Sequence, residues 1–223
     1  MRVLVIANRV DPEPGHVGDA LVARGAVLDP VWREDPDAWP DPADVGLVLS
    51  LGSDWSVYWD HVGPQVDREA AYLRAAVGAG VPVLGLCFGG QLLAHALGGR
   101  VEPAPRPEIG WFAVESDRPD VLPPGPYAQW HVDRFVPPDD AVELARSPVG
   151  SQAFALGSAV GLQFHPEATP EMLHRWVSQG AAELAARGVD GPAIVHEARS
   201  RAAEARDRAV VIVEAFLAGL LAP

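Results

Sequence analysis

The stretch Val81-Pro82-Val83-Leu84-Gly85-Leu86-Cys87-Phe88-Gly89-Gly90-Gln91 decides the fold. A short apolar run ends at the chain's single cysteine, and Gln91-Leu92-Leu93-Ala94-His95-Ala96-Leu97 continues as a helix. The pattern Gly-x-Cys-x-Gly is the thiol form of a nucleophile elbow, a tight turn between a strand and a helix. Side chains two residues either side of the turn would collide, and Gly85 and Gly89 remove those collisions. Cys87 then stands at the carboxyl end of a strand and the amino end of a helix, where the helix's partial positive charge favours thiolate. A lone cysteine in an apolar run is equally at home in a packed core. This stretch by itself leaves both readings open.

A second motif separates them. In Gly161-Leu162-Gln163-Phe164-His165-Pro166-Glu167 a short apolar strand presents a histidine, and a carboxylate follows two positions later. Cysteine catalysis needs a base near the sulfur and a group that orients the base. Pro166 stiffens the link between the two.

With these residues the chain resembles the class I, or triad, glutamine amidotransferase family. The marks are Gly-x-Cys-x-Gly-x-Gln at Gly85, Cys87, Gly89 and Gln91, and His-Pro-Glu at His165, Pro166 and Glu167. The likeness is to the free-standing, GMP-synthase-like branch. Three supporting segments carry it: Ile109-Gly110-Trp111, Trp130-His131-Val132-Asp133-Arg134-Phe135 and Gln152-Ala153-Phe154. The resemblance implies an α/β fold, a doubly wound, mostly parallel sheet flanked by helices. It implies a Cys87–His165–Glu167 triad and a thioester intermediate. It also implies that the loop after the third strand supplies an oxyanion donor, the backbone N–H of Gly52, and that Gln91 contacts the glutamine substrate. The second donor is the N–H of Phe88 at the helix start. Where many members have a Gly-Gly-Pro-like loop, this chain has Leu51-Gly52-Ser53-Asp54.

Working outward, Arg2–Ala7 reads as a strand, His16–Arg24 as a short helix and Ala26–Val31 as a second strand. Asp29–Asp44, rich in Pro and Asp, reads as loop. Val45–Leu51 is a third strand, residues 64–79 an amphipathic helix and Val81–Leu86 the nucleophile strand. This alternation predicts right-handed βαβ units. After Gly99, prolines punctuate strand-like runs at Trp111–Glu115, Ala141–Arg146 and Ala159–Phe164, expected as antiparallel strands and hairpins at the sheet edge. From Thr169 the chain reads as helical, with Pro170 in the first turn. Gly188–Pro192 breaks it, and Ala193–Leu221 resumes as a packed terminal helix. The whole, residues 1–223, is expected to be a single domain with a helical extension over about 169–221.

Composition narrows the function. Hydrophobic residues make up 48% of 223 positions, enough for a substantial core. A net charge of −13 argues against nucleic acid or an anionic membrane as partner. No apolar stretch approaches membrane-spanning length, and the opening Met1–Ala7 is too short for a signal peptide, so a cytoplasmic location is expected. One cysteine forms no internal disulfide, which suits a reducing compartment. The seven histidines are scattered, and neither a metal site nor a cofactor is expected.

Among lesser candidates, His131 is expected in a loop near the site, either as a substrate contact or as an exposed loop histidine. His95 reads as a packed or rim residue of the elbow helix, and Trp55, Tyr58 and Trp59 as pocket wall or subunit surface. Three functions follow. The first is hydrolysis of glutamine to glutamate and ammonia, with ammonia passed to a separate synthase partner, since no phosphate-binding glycine loop marks a synthase domain. The second is a stand-alone γ-glutamyl peptidase or hydrolase. The third is a non-catalytic binding module, against which the intact Cys87, His165 and Glu167 argue.

Overall fold

The computed structural model describes residues 1–221. The first half alternates strands and helices: β1 (Arg2–Ala7), α1 (Gly15–Ala23), β2 (Val27–Trp32), β3 (Leu47–Ser50), α2 (Gly63–Gly78), β4 (Val83–Leu86) and α3 (Phe88–Ala96). Strands then dominate: β5 (Arg100–Phe112), β6 (Glu115–Ser116), β7 (Tyr127–Val136), β8 (Val142–Ser147), β9 (Gly150–Leu156) and β10 (Ala159–Leu162). The chain continues through α4 (Pro170–Gln179), α5 (Ala181–Ala186) and α6 (Gly191–Leu217).

An eight-stranded sheet runs in the order β2-β1-β3-β4-β10-β9-β8-β6. Its first five strands are parallel, and β9, β8 and β6 add antiparallel at the far edge. Strands buried on both faces need apolar side chains at every position. Accordingly Val3, Val5, Leu47, Leu49, Leu84 and Leu86 pack with Val17 and Leu21 of α1 and Ile212 and Phe216 of α6. Leu4, Ile6, Val48 and Val83 face the other way, onto Val66 and Leu73 of α2 and Leu92 and Leu93 of α3. The mostly parallel α/β architecture expected from the sequence is therefore present.

The two helix starts obey local chemistry. Thr169 Oγ1 accepts the Met172 N–H at 3.2 Å ahead of α4, and Asp190 accepts the Ala193 N–H at 3.0 Å ahead of α6. The apolar end of α6 is a packed face, as expected, although the helix stops at Leu217 rather than running to Leu221.

Three readings change. The loop expected from Asp29 begins later, because β2 runs on through Pro30 to Trp32; it is an edge strand, which tolerates proline. The proline-rich segment after Gly99 is a strand of 13 residues, β5, paired antiparallel with β7 as a separate two-stranded ribbon. Pro105 and Pro107 fall where the register shifts between Pro103 and Glu108, so neither has to donate to the ladder. His131 lies within β7, not in a loop. The domain expected over 1–223 takes in Ala222 and Pro223, which lie outside the described residues.

Candidate active site

The carboxyl ends of the parallel strands meet at one cavity. Asn8 follows β1, Gly52 follows β3 and Cys87 follows β4; His165, three residues past β10, completes the lining. The chain order reverses between β2-β1 and β3-β4, the switch at which open α/β sheets leave a crevice.

Cys87 caps the amino end of α3 in a conformation that L-residues avoid. At φ 50° and ψ −108° it is the one non-glycine residue with positive φ among the described residues. Strain of this kind persists only where the surroundings enforce it. Here they do: the Cys87 N–H donates to the Leu162 carbonyl at 2.8 Å, and the Gln91 N–H returns to the Cys87 carbonyl at 2.8 Å. The flanking glycines are compulsory. A Cβ on Gly85 would stand 2.4 Å from the Gly89 carbonyl oxygen, and one on Gly89 would stand 2.1 Å from the Ser50 carbonyl oxygen. Gly90 is equally confined, 2.5 Å from the Leu162 carbonyl oxygen by the same measure.

His165 is fixed by an isolated bridge to β7, its N–H donating to the Ala128 carbonyl at 2.9 Å. Its Nδ1 lies 2.6 Å from Glu167 Oε1, and both side chains are buried. A carboxylate in that position accepts, so Nδ1 carries the proton and Nε2 is left for other work. Nε2 is buried and has no hydrogen-bond partner among the described residues. Burial alone would disfavour the imidazolium, but Glu167 and the Cys87 sulfur together outweigh it and raise the His165 pKa well above its ordinary value. Cys87 Sγ itself makes only long contacts, 3.9 Å to the Trp130 carbonyl oxygen and 3.9 Å to Gln163 Nε2.

Gly52 faces both groups. A Cβ built on it would lie 3.2 Å from His165 Cε1 and 3.8 Å from Cys87 Cβ. Phe88 is the first residue of α3, where backbone N–H groups have no intrahelical acceptor. Gln91 lines the cavity and is buried. Its amide donates to the Asp133 carbonyl at 3.0 Å, tying α3 to β7.

The ribbon supplies the remaining wall. His131 is buried in β7, and its Nδ1 donates to the Asp133 carbonyl at 2.8 Å. Its Nε2 lies 3.2 Å from a carboxylate oxygen of Glu108 in β5. Gln152 of β9 donates to that carboxylate at 3.1 Å and accepts from Gln129 at 2.7 Å. Two of the three supporting segments, through His131 and Gln152, thus meet Glu108 in one buried polar layer joining ribbon to sheet, while Ile109 and Trp111 of the third pack in an apolar cluster with Ile194. His95 is exposed and lies outside the cavity. Trp55 lines the cavity, Tyr58 is half exposed but donates to Asp133 at 2.7 Å, and Trp59 is exposed and stacks on His61.

Two residues take roles that the sequence reading did not give them. Asp133, buried in the cavity wall, accepts hydrogen bonds from the Ser56 and Tyr58 hydroxyls. Trp176 of α4 sets its ring edge-on to His165, with centroids 4.9 Å apart, and donates to Asp11 at 2.6 Å. A tryptophan on an amphipathic helix gives no sequence signal that it will cover a site. Among the described residues no group of His, Cys, Asp and Glu is arranged to hold a metal ion, and no helix is long and apolar enough to cross a membrane.

The model of the family described as glutamine amidotransferase class-I matches residues 60–181. The "GMP synthase [glutamine-hydrolyzing]" of Thermomicrobium roseum is 45% identical over 130 residues, 55% of this chain and 23% of that protein. The chain thus matches only about a quarter of the length of its curated relatives. A glutamine amidotransferase of Thermotoga maritima superposes with a TM-score of 0.87 at 26% identity, over 97% of this chain and 98% of that one. One of Methylobacillus flagellatus gives 0.87 at 28% identity, over 97% and 94%. With more than half of its length matched by the family model, this chain is an enzyme of the class-I glutamine amidotransferase family.

Proposed function

We propose that the protein hydrolyses the side-chain amide of glutamine through Cys87, His165 and Glu167, and that the ammonia passes to a separate synthase chain. The observation that carries this reading is the strained Cys87 beside a buried His165–Glu167 pair at 2.6 Å. His165 Nε2 holds the proton drawn from the thiol, and the sulfur, as thiolate, attacks the amide carbon. The N–H groups of Gly52 and Phe88 hold the oxyanion. Collapse breaks the C–N bond, His165 returns its proton to the departing ammonia, and a thioester remains. Water then attacks, giving up a proton to His165, and glutamate leaves as the proton returns to the sulfur. Glu167 keeps the imidazole in the required tautomer.

Asp133 suits the substrate's α-ammonium group. It is a buried carboxylate satisfied by two neutral hydroxyls, whereas Asp11 and Glu13 at the rim are already paired with Arg175. The curated relatives join glutamine hydrolysis to GMP synthesis in their names, which supports a synthase as the acceptor of the ammonia. A single free cysteine that must stay reduced supports a cytoplasmic location.

One observation favours a second reading, hydrolysis of γ-glutamyl conjugates. The cavity measures about 370 Å³ and its lining reaches beyond the triad to Gln179, Gly180 and Glu183, room that a larger γ-glutamyl substrate would need. Steady-state assays of the purified chain on glutamine and on γ-glutamyl dipeptides separate the two. Slow glutamine turnover that a partner accelerates supports the amidotransferase reading. Rapid cleavage of peptides with glutamine ignored would replace it with the second.

A further inference from the structure

Behind the Gly52 loop sits an arrangement that the reaction scheme above does not use. Arg33, just past β2, is entirely buried, and so is its partner Glu69 on α2. Arg33 Nε donates to Glu69 Oε2 at 2.6 Å and Nη2 donates to Oε1 at 3.2 Å. Ser50 Oγ donates to the same carboxylate at 2.7 Å. The remaining N–H groups go to Asn8 Oδ1 at 2.6 Å, the Leu51 carbonyl at 3.0 Å and the Gly52 carbonyl at 3.3 Å. The guanidinium carbon also lies 4.7 Å from the centre of the Phe88 ring.

We propose that Arg33 is the positioning residue of the oxyanion hole, gripping the carbonyls either side of Gly52 and the ring of Phe88 so that both backbone donors are fixed. The inference rests on the function proposed above. Three physical points carry it. The Leu51 carbonyl and the Gly52 N–H belong to one peptide unit. A charge-assisted hydrogen bond to that oxygen polarises the unit and makes its N–H a stronger donor. Gly52 is the most pliable residue of the loop, and Leu51-Gly52-Ser53-Asp54 contains no proline to stiffen it. Anchoring the carbonyls on both sides removes that freedom. Finally, the same cation packs on Phe88, whose N–H is the other donor, so one side chain sets the spacing between strand loop and elbow. Stability does not account for the pair: replacing a buried ion pair by apolar groups is often neutral or favourable.

The test uses Arg33→Met combined with Glu69→Leu, which removes both buried charges together and leaves neither uncompensated. The double variant should fold, by circular dichroism and thermal melting, and lose about 10–100-fold in kcat with KM nearly unchanged. Glutamate γ-semialdehyde, which adds the Cys87 thiol to form a thiohemiacetal bearing the oxyanion, should bind about 10–100-fold more weakly. Glutamine affinity, measured in a Cys87→Ala background, should not move. Arg33→Lys, with the charge but not the planar fork, should recover only part of the loss. A folded double variant with wild-type kcat and aldehyde affinity would overturn the inference. So would an equal loss of glutamine and aldehyde affinity, which would mean general distortion of the pocket. A wild type that neither turns over glutamine nor binds the aldehyde would overturn the function beneath it instead.

Discussion

The parallel half of the sheet and the β5–β7 ribbon reach the same cavity by opposite means. The parallel half delivers Cys87 and Gly52 on backbone geometry: apolar strands, a strained turn, and glycines whose replacement would drive a Cβ to about 2 Å from a carbonyl oxygen. The ribbon delivers His131 and Asp133 on side-chain hydrogen bonds, in a layer of Glu108, Gln129 and Gln152. Close backbone packing leaves no tolerance and fixes where atoms react. A polar layer can be re-satisfied by other donors and acceptors, which suits the part of a site that selects the substrate. The reacting atoms should accordingly fail abruptly on substitution, and the ribbon should fail gradually.

The largest effect is expected at the sulfur. Cys87→Ala should leave the fold intact and reduce hydrolysis by at least about 10⁴-fold, read by ammonia release. A thiol-directed γ-glutamyl reagent should label the wild type at that one residue. His165→Ala should follow closely. Glu167→Gln should lose one to two orders of magnitude less, on the order of the gap between base and orienting carboxylate in other triads. Equal losses for the two would mean that Glu167 does more than orient.

Next comes the elbow's packing. Gly89→Ala places a methyl group 2.1 Å from the Ser50 carbonyl oxygen, so β3 and α3 must separate. We expect a loss of about 3 kcal/mol, measured by denaturant unfolding. An undiminished midpoint would show that the parallel half is more compliant than its geometry suggests.

In the ribbon, Asp133→Asn should raise KM for glutamine by about 10–100-fold while kcat falls much less. A collapse of kcat instead would move the ribbon into the chemistry and dissolve the contrast.

The smallest effect is on stability against pH. Because His165 is raised above its ordinary value, the folded protein holds that proton over a range where the unfolded chain has released it. Its contribution is complete below about pH 6.5, the ordinary value, and declines as pH climbs through the folded value. One proton sets a limiting slope of about 1.4 kcal/mol per pH unit. Subtracting the Glu167→Gln profile from the wild-type profile isolates it. A difference that grows with pH would reverse the sign and contradict the charged imidazole.

Much of this contrast was visible before folding. Glycine spacing around Cys87 announces the elbow because no other residue type fits that turn, and the apolar strands announce a sheet buried on both faces. The ribbon was not visible. Pro103, Pro105 and Pro107 argue against a strand, and only the register shift opposite β7 reconciles them with one. His131, expected in a loop, is likewise a buried strand residue.

The sequence by itself determined the family, the mostly parallel α/β architecture and the nucleophile's turn, because these follow from local sterics and from burial patterns a few residues long. Tertiary structure decided which carboxylates enter the cavity free and which arrive paired, that Trp176 walls His165, and that Arg33 and Glu69 meet behind Gly52. Such facts depend on groups far apart in the chain and on the loss of water around them. Arg33 and Glu69 lie 36 residues apart, and nothing local to either marks it for burial. Charged side chains avoid the interior unless a partner is already there, and only the folded chain brings the partner.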